Sequence, residues 1–463
     1  MSIWKTKPPE MLYDAVEKTG LKKNLTALDL AALGIGCTVG VGIFVVTGVA
    51  ASQYAGPAVI ISFIIGALTA AFCGLTYAEL AAMFPVAGST YSYSYVAFGE
   101  IIAWIIGWDL MLEYLVAAGA VASGWSAYFV ELMKNLGITL PQSLTAVPMK
   151  GGIMDLPAIL VTLFITWILY IGVKESARTN NIMVAIKLGV IVLFIILGLP
   201  HINSANWVPF APFGWKGIMT GAAVIFFAFV GFDGVSTAAE ETRNPQRDVP
   251  LGLIICLIVV IILYLSVAAI LTGMVSYKEL DTAAPIAYAL SKVGINWGSA
   301  LVSVGAIVGI ISTLLVTVYG QIRIFMVMAR DGLLPPVFAS IHPKYRTPHI
   351  CTVITGIATA LLAGVLPIDI LAELCNIGTL FAFILVSIGV IVLRKTQPNI
   401  ERKFRLPGVP FTPLITVAFC FYLMYSLPLA TWIRFGVWLL AGLIIYFAYS
   451  KNHSVLQKAS GKA

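Results

Sequence analysis

Apolar runs long enough to cross a lipid bilayer recur along this 463-residue chain, and nothing else in it constrains the fold as strongly. A helix needs about 20 residues to cross a hydrocarbon core of roughly 30 Å. Twelve runs meet that need: 28–54, 57–84, 99–131, 155–174, 180–199, 217–238, 250–273, 297–328, 350–366, 370–393, 411–428 and 432–449. Unpaired backbone groups are not tolerated in hydrocarbon, so such runs must be helical. Only 11% of the residues are charged, against about 25% in soluble domains. The expectation is an all-α integral membrane protein with 12 transmembrane helices.

Residues 1–24 are polar and basic and lack a signal-peptide pattern, so the N-terminus is expected to stay in the cytoplasm. An even number of spans then puts both ends on that side. The charges agree. Of the 28 Lys and Arg, 20 fall on segments this topology makes cytoplasmic and six on outer loops, as the positive-inside rule requires. The net charge of +7 is therefore a matter of topology, and no basic patch interleaved with stacking aromatics suggests nucleic acid. Residues 10–19 place Met11 and Leu12 on one helical face, which suits a short helix on the membrane surface.

The first span contains GIGCTVGVGIF, with Gly34, Gly36, Gly40 and Gly42 inside nine residues. Each Gly costs about 1 kcal/mol relative to Ala in a helix interior, so this cluster invites a break that frees N–H and C=O groups at membrane depth. Freed groups survive there only where they line a cavity or meet a ligand. The competing reading is a small-residue packing face, which Gly36 and Gly40 also satisfy. The sixth span reads FFAFVGFDG, where Phe226, Phe227 and Phe229 precede Gly231, Asp233 and Gly234. If spans 1–5 and 6–10 are two halves, the two interruptions correspond, and such paired interruptions point to a transporter binding site.

Span 5 carries Lys187 about two turns from its start, too deep to reach headgroups with ease. Burial favours the neutral form of an amine, so a lysine here can serve as a proton carrier. Asp109 and Glu113 sit one turn apart in span 3, where snorkelling or capping competes with a direct substrate role. Span 8 carries Ser312, Thr313 and Thr317, and ends in Arg323, Arg330 and Asp331, which fit either a gate network or interfacial charge. The tyrosines of 85–99 suit a segment at headgroup depth. Spans 11 and 12 carry few polar residues and are expected to pack outside the working core.

The six cysteines are isolated and the four histidines lie at loops or span ends, so neither a disulfide framework nor a metal site is suggested. No HExxH or GxSxG motif supports an enzyme. A channel would need a continuous polar pore, whereas the polar residues cluster at one depth.

Taken together, GIGCTVGVGIF, PVAGSTYSYSY, the span 5 lysine after Asn180 and Asn181, FFAFVGFD followed by EETRNPQRDVP, and MARDGLLP resemble the amino acid-polyamine-organocation superfamily, specifically bacterial members of its cationic amino acid transporter family. The resemblance covers nearly the whole chain. It implies the LeuT-type fold, a five-plus-five inverted repeat with broken helices 1 and 6, and a multi-pass place in the bacterial cell membrane. The implied division is an N-tail at 1–27, a first repeat at 28–199, a second at 217–393, two further spans at 411–449 and a C-tail at 450–463.

Carried onto this sequence, the resemblance implies that a substrate carboxylate meets N–H groups of Thr38, Val39, Gly40, Val41 and Gly42, as anions do at helix N-termini. The ammonium would meet carbonyls of Ile35 and Gly36 and of Phe226, Ala228 and Phe229, with Phe229 as an aromatic lid. Lys187 would stand where related proteins hold a sodium ion, near Ser312 or Thr313. The implied activity is amino acid import by proton symport, with the proton gradient as driving force and no cofactor. Cys37, Val230 and Phe229 form a small apolar lining that favours small neutral or aliphatic substrates; a permease or exchanger for arginine and lysine is the alternative, and a non-transporting sensor a third reading.

Overall fold

A computed structural model describes residues 3–12, 23–86, 88–172 and 177–460; within these, the side chains of 177–180 and 459–460 are not described. The expected surface helix over 10–19 falls mostly outside the described residues; its first turn, over 9–12, is helical.

In chain order the main helices are α1 (Ala27–Thr38), α2 (42–55, built of α and π turns), α3 (Val59–Met83), α4 (Ser89–Ala97), α5 (Glu100–Asn135), α6 (Leu156–Ile171), α7 (Ala177–Gly198), α8 (Gly214–Ile225), α9 (Pro245–Met274), α10 (Pro285–Lys292), α11 (Asn296–Arg330), α12 (His349–Val365), α13 (Ile368–Thr396), α14 (Phe411–Tyr425) and α15 (Leu429–Ile445). The described residues hold no β-strand, only two isolated bridges. Eight helical runs among them are long and apolar enough to cross a membrane, with α1, α6, α12 and α14 as shorter apolar helices. Each of the twelve apolar stretches read from the sequence is helical along most of its length.

Helix ends follow local chemistry. Thr26 caps α1 reciprocally with Asp29: the Asp29 N–H donates to the Thr26 hydroxyl, and the Asp29 carboxylate accepts the Thr26 N–H at 3.0 Å. Asp155 caps α6 by accepting the Ala158 N–H at 3.1 Å. The α2 run ends at Gly56, whose φ of +62° no bulky residue adopts easily, and the chain turns into α3.

The inner helices α1, α3, α5, α9, α11 and α13 pack closely on one another. Large apolar side chains such as Trp167, Ile196, Leu361 and Leu440 stay exposed on the periphery, as lipid contact demands. Helices α14 and α15 pack against α13, and neither reaches the cavity described below.

One end of the bundle collects both chain ends. Lys7 pairs with Asp331 at 2.9 Å, the Asn24 N–H donates to the Glu241 carbonyl, and Ser450 donates to the Leu333 carbonyl. This end is called the terminal face below. The α4 tyrosines differ from expectation. Tyr91, Tyr93 and Tyr95 are about 1% exposed, and Tyr91 and Tyr95 donate to Asp331 and Glu100, so α4 is a strut buried within the protein.

Candidate functional site

Helix α1 ends at Thr38, and Val39 leaves the helical region with ψ of 99°. The Val39 N–H still reaches the Ile35 carbonyl at 2.8 Å, while Ile43 and Phe44 return their N–H groups to the Gly40 carbonyl. The break is thus confined to 39–41. Gly42 is required by contact: a Cβ there would lie 2.3 Å from the Ala228 Cα. Among the described residues, the N–H groups of Gly40, Val41 and Gly42 meet no acceptor. These glycines serve both readings: the helix breaks at 39–41, and Gly40 and Gly42 also sit in close contact with Thr313 and Ala228.

The carbonyls freed by the break are taken by side chains from three other helices. Lys187 of α7, wholly buried, donates to the Gly36 carbonyl at 2.5 Å, to the Val39 carbonyl at 3.1 Å and to the Thr313 hydroxyl at 2.9 Å. Tyr264 of α9 donates to the Thr38 carbonyl at 3.0 Å. Lys187 therefore does not reach out to headgroups. Of its two expected neighbours in α11, Thr313 accepts the Lys187 bond, while the Ser312 hydroxyl donates to Gly309 of its own helix at 2.9 Å. Gly309 leaves room for the lysine stem: a Cβ there would lie 3.1 Å from its Cγ.

Helix α8 stops at Ile225 and passes through a tight 3₁₀ turn, Phe226–Phe229, into extended Val230 and then Gly231 at φ +105°. Gly231 lies against Cys37, with a built Cβ 3.1 Å from the Cys37 carbonyl, so the two breaks touch. Two carbonyls at the end of α8 are satisfied from α13: the Asn376 amide donates to Ala223 at 2.8 Å and Val224 at 3.0 Å.

Between the breaks lies a cavity of about 100 Å³ lined by α1, α2, α5, the α8 turn and α11. It extends toward the terminal face, where the Arg323 guanidinium lies 3.9 Å from Glu241 and stacks over the Tyr319 ring at 4.6 Å. On the other side Val41 closes against Gly124, where a Cβ would lie 2.4 Å from Val41; beyond is a second cavity of about 270 Å³.

Of the residues expected at the site, Cys37, Thr38, Gly40, Val41, Gly42, Val230 and Thr313 line the cavity. Ile35, Gly36, Val39, Ala228, Lys187 and Ser312 stand behind its wall. Phe226 and Phe229 do not face it. Phe226 sets its edge on Phe383, with centroids 6.5 Å apart, and Phe229 packs on Phe63 at 6.2 Å and Tyr264 at 5.4 Å. Phe227 is the ring that lines the cavity. A 3₁₀ turn advances about 120° per residue instead of 100°, so side-chain phase in this phenylalanine run could not be read from helical spacing. Tyr264 and Asn376 were also missed, since nothing local marks them.

Asp109 and Glu113 do not snorkel: they are 0% and 5% exposed, and both Asp109 carboxylate oxygens and the Glu113 Oε2 lack a hydrogen-bond partner among the described residues. Glu113 and Asp233 line the cavity, and Asp109 does not.

Two broken membrane helices facing one small cavity, with their freed backbone groups held by neighbouring helices, define a membrane carrier for a small solute. The chain belongs to the amino acid permease family, whose profile matches residues 25–449. It is 47% identical over 459 residues to the methylthioribose transporter of Bacillus subtilis, covering 99% of this chain and all of that protein. To the branched-chain amino acid permease BcaP of the same organism it is 46% identical over 463 residues, covering 99% of each. Human cationic amino acid transporter 4 is 38% identical over 397 residues, covering 84% of this chain and 62% of that protein. The resemblance read from the motifs is thereby borne out.

Proposed function

We propose that this permease imports small neutral or aliphatic L-amino acids by proton symport through alternating access. In this reading twelve spans cross the bacterial cell membrane with both termini inside, and 28–199 and 217–393 form two inverted repeats of the LeuT-type fold, with 411–449 packed outside them. A substrate carboxylate accepts from the free N–H groups of Gly40, Val41 and Gly42, in the partly positive field at the start of α2. Its side chain lies against Cys37, Phe227 and Val230, and its ammonium faces the carbonyl side of the helix 6 turn. Phe227 takes the lid role first given to Phe229.

The observation that carries the coupling is the buried amine of Lys187, 2.5 Å from the Gly36 carbonyl and 2.9 Å from Thr313. Protonated, the lysine ties the helix 1 break to α11. Neutral, it loses its charge-assisted bonds, which are roughly twice as strong as neutral ones, and α1 is released toward the terminal face. Coupling then arises because proton and substrate favour the same closed state.

The small apolar side chains in the lining, Cys37, Val41, Ala117, Val121 and Val230, support the substrate class. The name of the Bacillus branched-chain permease points the same way. Glu113 and Asp233 in the lining favour the second reading, a cationic amino acid, as does the name of the human relative.

Vesicle uptake tests both points. Lys187→Ala is expected to lose accumulation driven by an inward proton gradient while retaining exchange; gradient-driven accumulation in that variant would refute the coupling role. Competition of labelled alanine by valine and leucine, but not by arginine, is expected.

A further inference from the structure

The second cavity, on the far side of the Val41–Gly124 contact, has a different chemistry from the first. It lies between α2, α5, the 136–155 loop, the 275–284 loop and the start of α13. Its charged residues are Lys150, Asp155, Asp281 and Asp369. Asp155 is committed elsewhere, since its Oδ1 accepts from Ser126 at 2.5 Å and from the Ala158 N–H at 3.1 Å. Asp281 accepts only a long bond, 3.2 Å, from the Gln53 amide. The Oδ1 of Asp369 and the hydroxyl of Thr282 are shut off from solvent, and neither has a hydrogen-bond partner among the described residues. Lys150 has no carboxylate within ion-pair distance among the described residues.

Polar atoms shut away from water and left unpaired are costly, so a site that holds them open is completed by a ligand or ordered water. Here Asp369 and Thr282 hold such atoms, and the exposed Asp281 carboxylate and Lys150 ammonium share their cavity, which is floored by Val45, Val49 and Ala127. We propose that this cavity is a staging subsite for a zwitterionic aliphatic α-amino acid, its ammonium on Asp369 and Asp281, its carboxylate on Lys150 and its side chain on the valine floor. The inference rests on the amino acid reading of the central site and extends it: Val41 and Gly124 form the partition through which the staged molecule passes inward. The excess of carboxylate over ammonium sets the order of contact, drawing the cationic end of a zwitterion first and turning away anions.

Asp369 and Lys150 line this second cavity and not the central one, so changing them acts on entry and not on coupling.

Sidedness supplies the test. In right-side-out vesicles Asp369→Asn and Lys150→Gln are each expected to raise the half-saturating leucine concentration about tenfold, and in inside-out vesicles to leave it within about twofold. An equal shift on both sides, or none on either, overturns the subsite. Equilibrium binding of labelled leucine to the purified protein separates this failure from that of the central reading. Two molecules per chain in the wild type and one in Asp369→Asn support the proposal. One in both overturns the subsite alone, and none in the wild type overturns the leucine site at both levels.

Discussion

The two helix breaks solve one problem in different ways. The break in helix 1 is made of glycine, and its freed carbonyls are held by Lys187, Thr313 and Tyr264 from three helices. The break in helix 6 is made of phenylalanine in a tight turn, and the carbonyls ahead of it are held by the neutral Asn376 from one helix. Only the first has its carbonyls held by an amine, that of Lys187. An amide holds its carbonyls at every physiological pH. The molecule thus has one break held by an amine beside one held by an amide, and the cavity lies between them.

The largest effect that would test this contrast is steric. Gly42→Val forces a side chain into Ala228, where the two breaks meet, and is expected to abolish substrate binding while the remaining helices stay folded. Calorimetric titration with leucine, beside a thermal unfolding curve, measures both. Unchanged binding would return the glycines to a packing role.

Next comes Asn376→Ala, which removes two buried side-chain hydrogen bonds to the Ala223 and Val224 carbonyls, at about 0.5–1.5 kcal/mol each and about 1–3 kcal/mol together. Transport should fall roughly five- to 150-fold, with the shape of its pH profile unchanged. A shifted pH profile would put helix 6 in the proton-linked part of the cycle and break the distinction between the two breaks.

Tyr264→Phe removes one neutral donor from the Thr38 carbonyl and is expected to cost about 1 kcal/mol, a fewfold rise in half-saturating concentration. Because Lys187 still holds the neighbouring carbonyls, gradient-driven accumulation should persist. If it disappears, Tyr264 belongs with Lys187 in the switch.

The smallest effect is expected at the exposed Glu279–Lys292 pair, 2.9 Å apart on the far face. Hydrogen bonds from Lys292 and Tyr288, together with the Lys292 charge, hold the Glu279 carboxyl below its usual range. Whatever stability the pair adds is present above the ordinary carboxylate pKa and fades as pH falls through the lowered one. Glu279→Gln should leave uptake at pH 7 unchanged. A marked loss would mean that this surface takes part in gating.

The glycine cluster of span 1, the interruption of span 6, the deep lysine and the hydroxyls of span 8 were all legible in the sequence. Each is a property of single residues set against an apolar background, and hydrocarbon makes any polar or helix-breaking residue conspicuous. Phe229 was expected over the cavity and Phe227 lines it instead, because the 3₁₀ turn changes side-chain phase just where phase decided between the two. That the α4 tyrosines are buried and hydrogen-bonded was not legible, because aromatic and hydroxyl groups in alternation suit a headgroup layer and a buried strut equally well.

What the sequence determined alone is the solvent of this protein and the places where its helices fail: the bilayer enforces helix everywhere, so departures stand out. Which groups repair those failures was decided only in three dimensions. Asn376 and Tyr264 act on carbonyls 153 or 152 and 226 positions away, and Lys187 on carbonyls 151 and 148 positions away. Such partnerships depend on which helices pack side by side, and at those separations packing, not local preference, chooses the partner for each freed carbonyl.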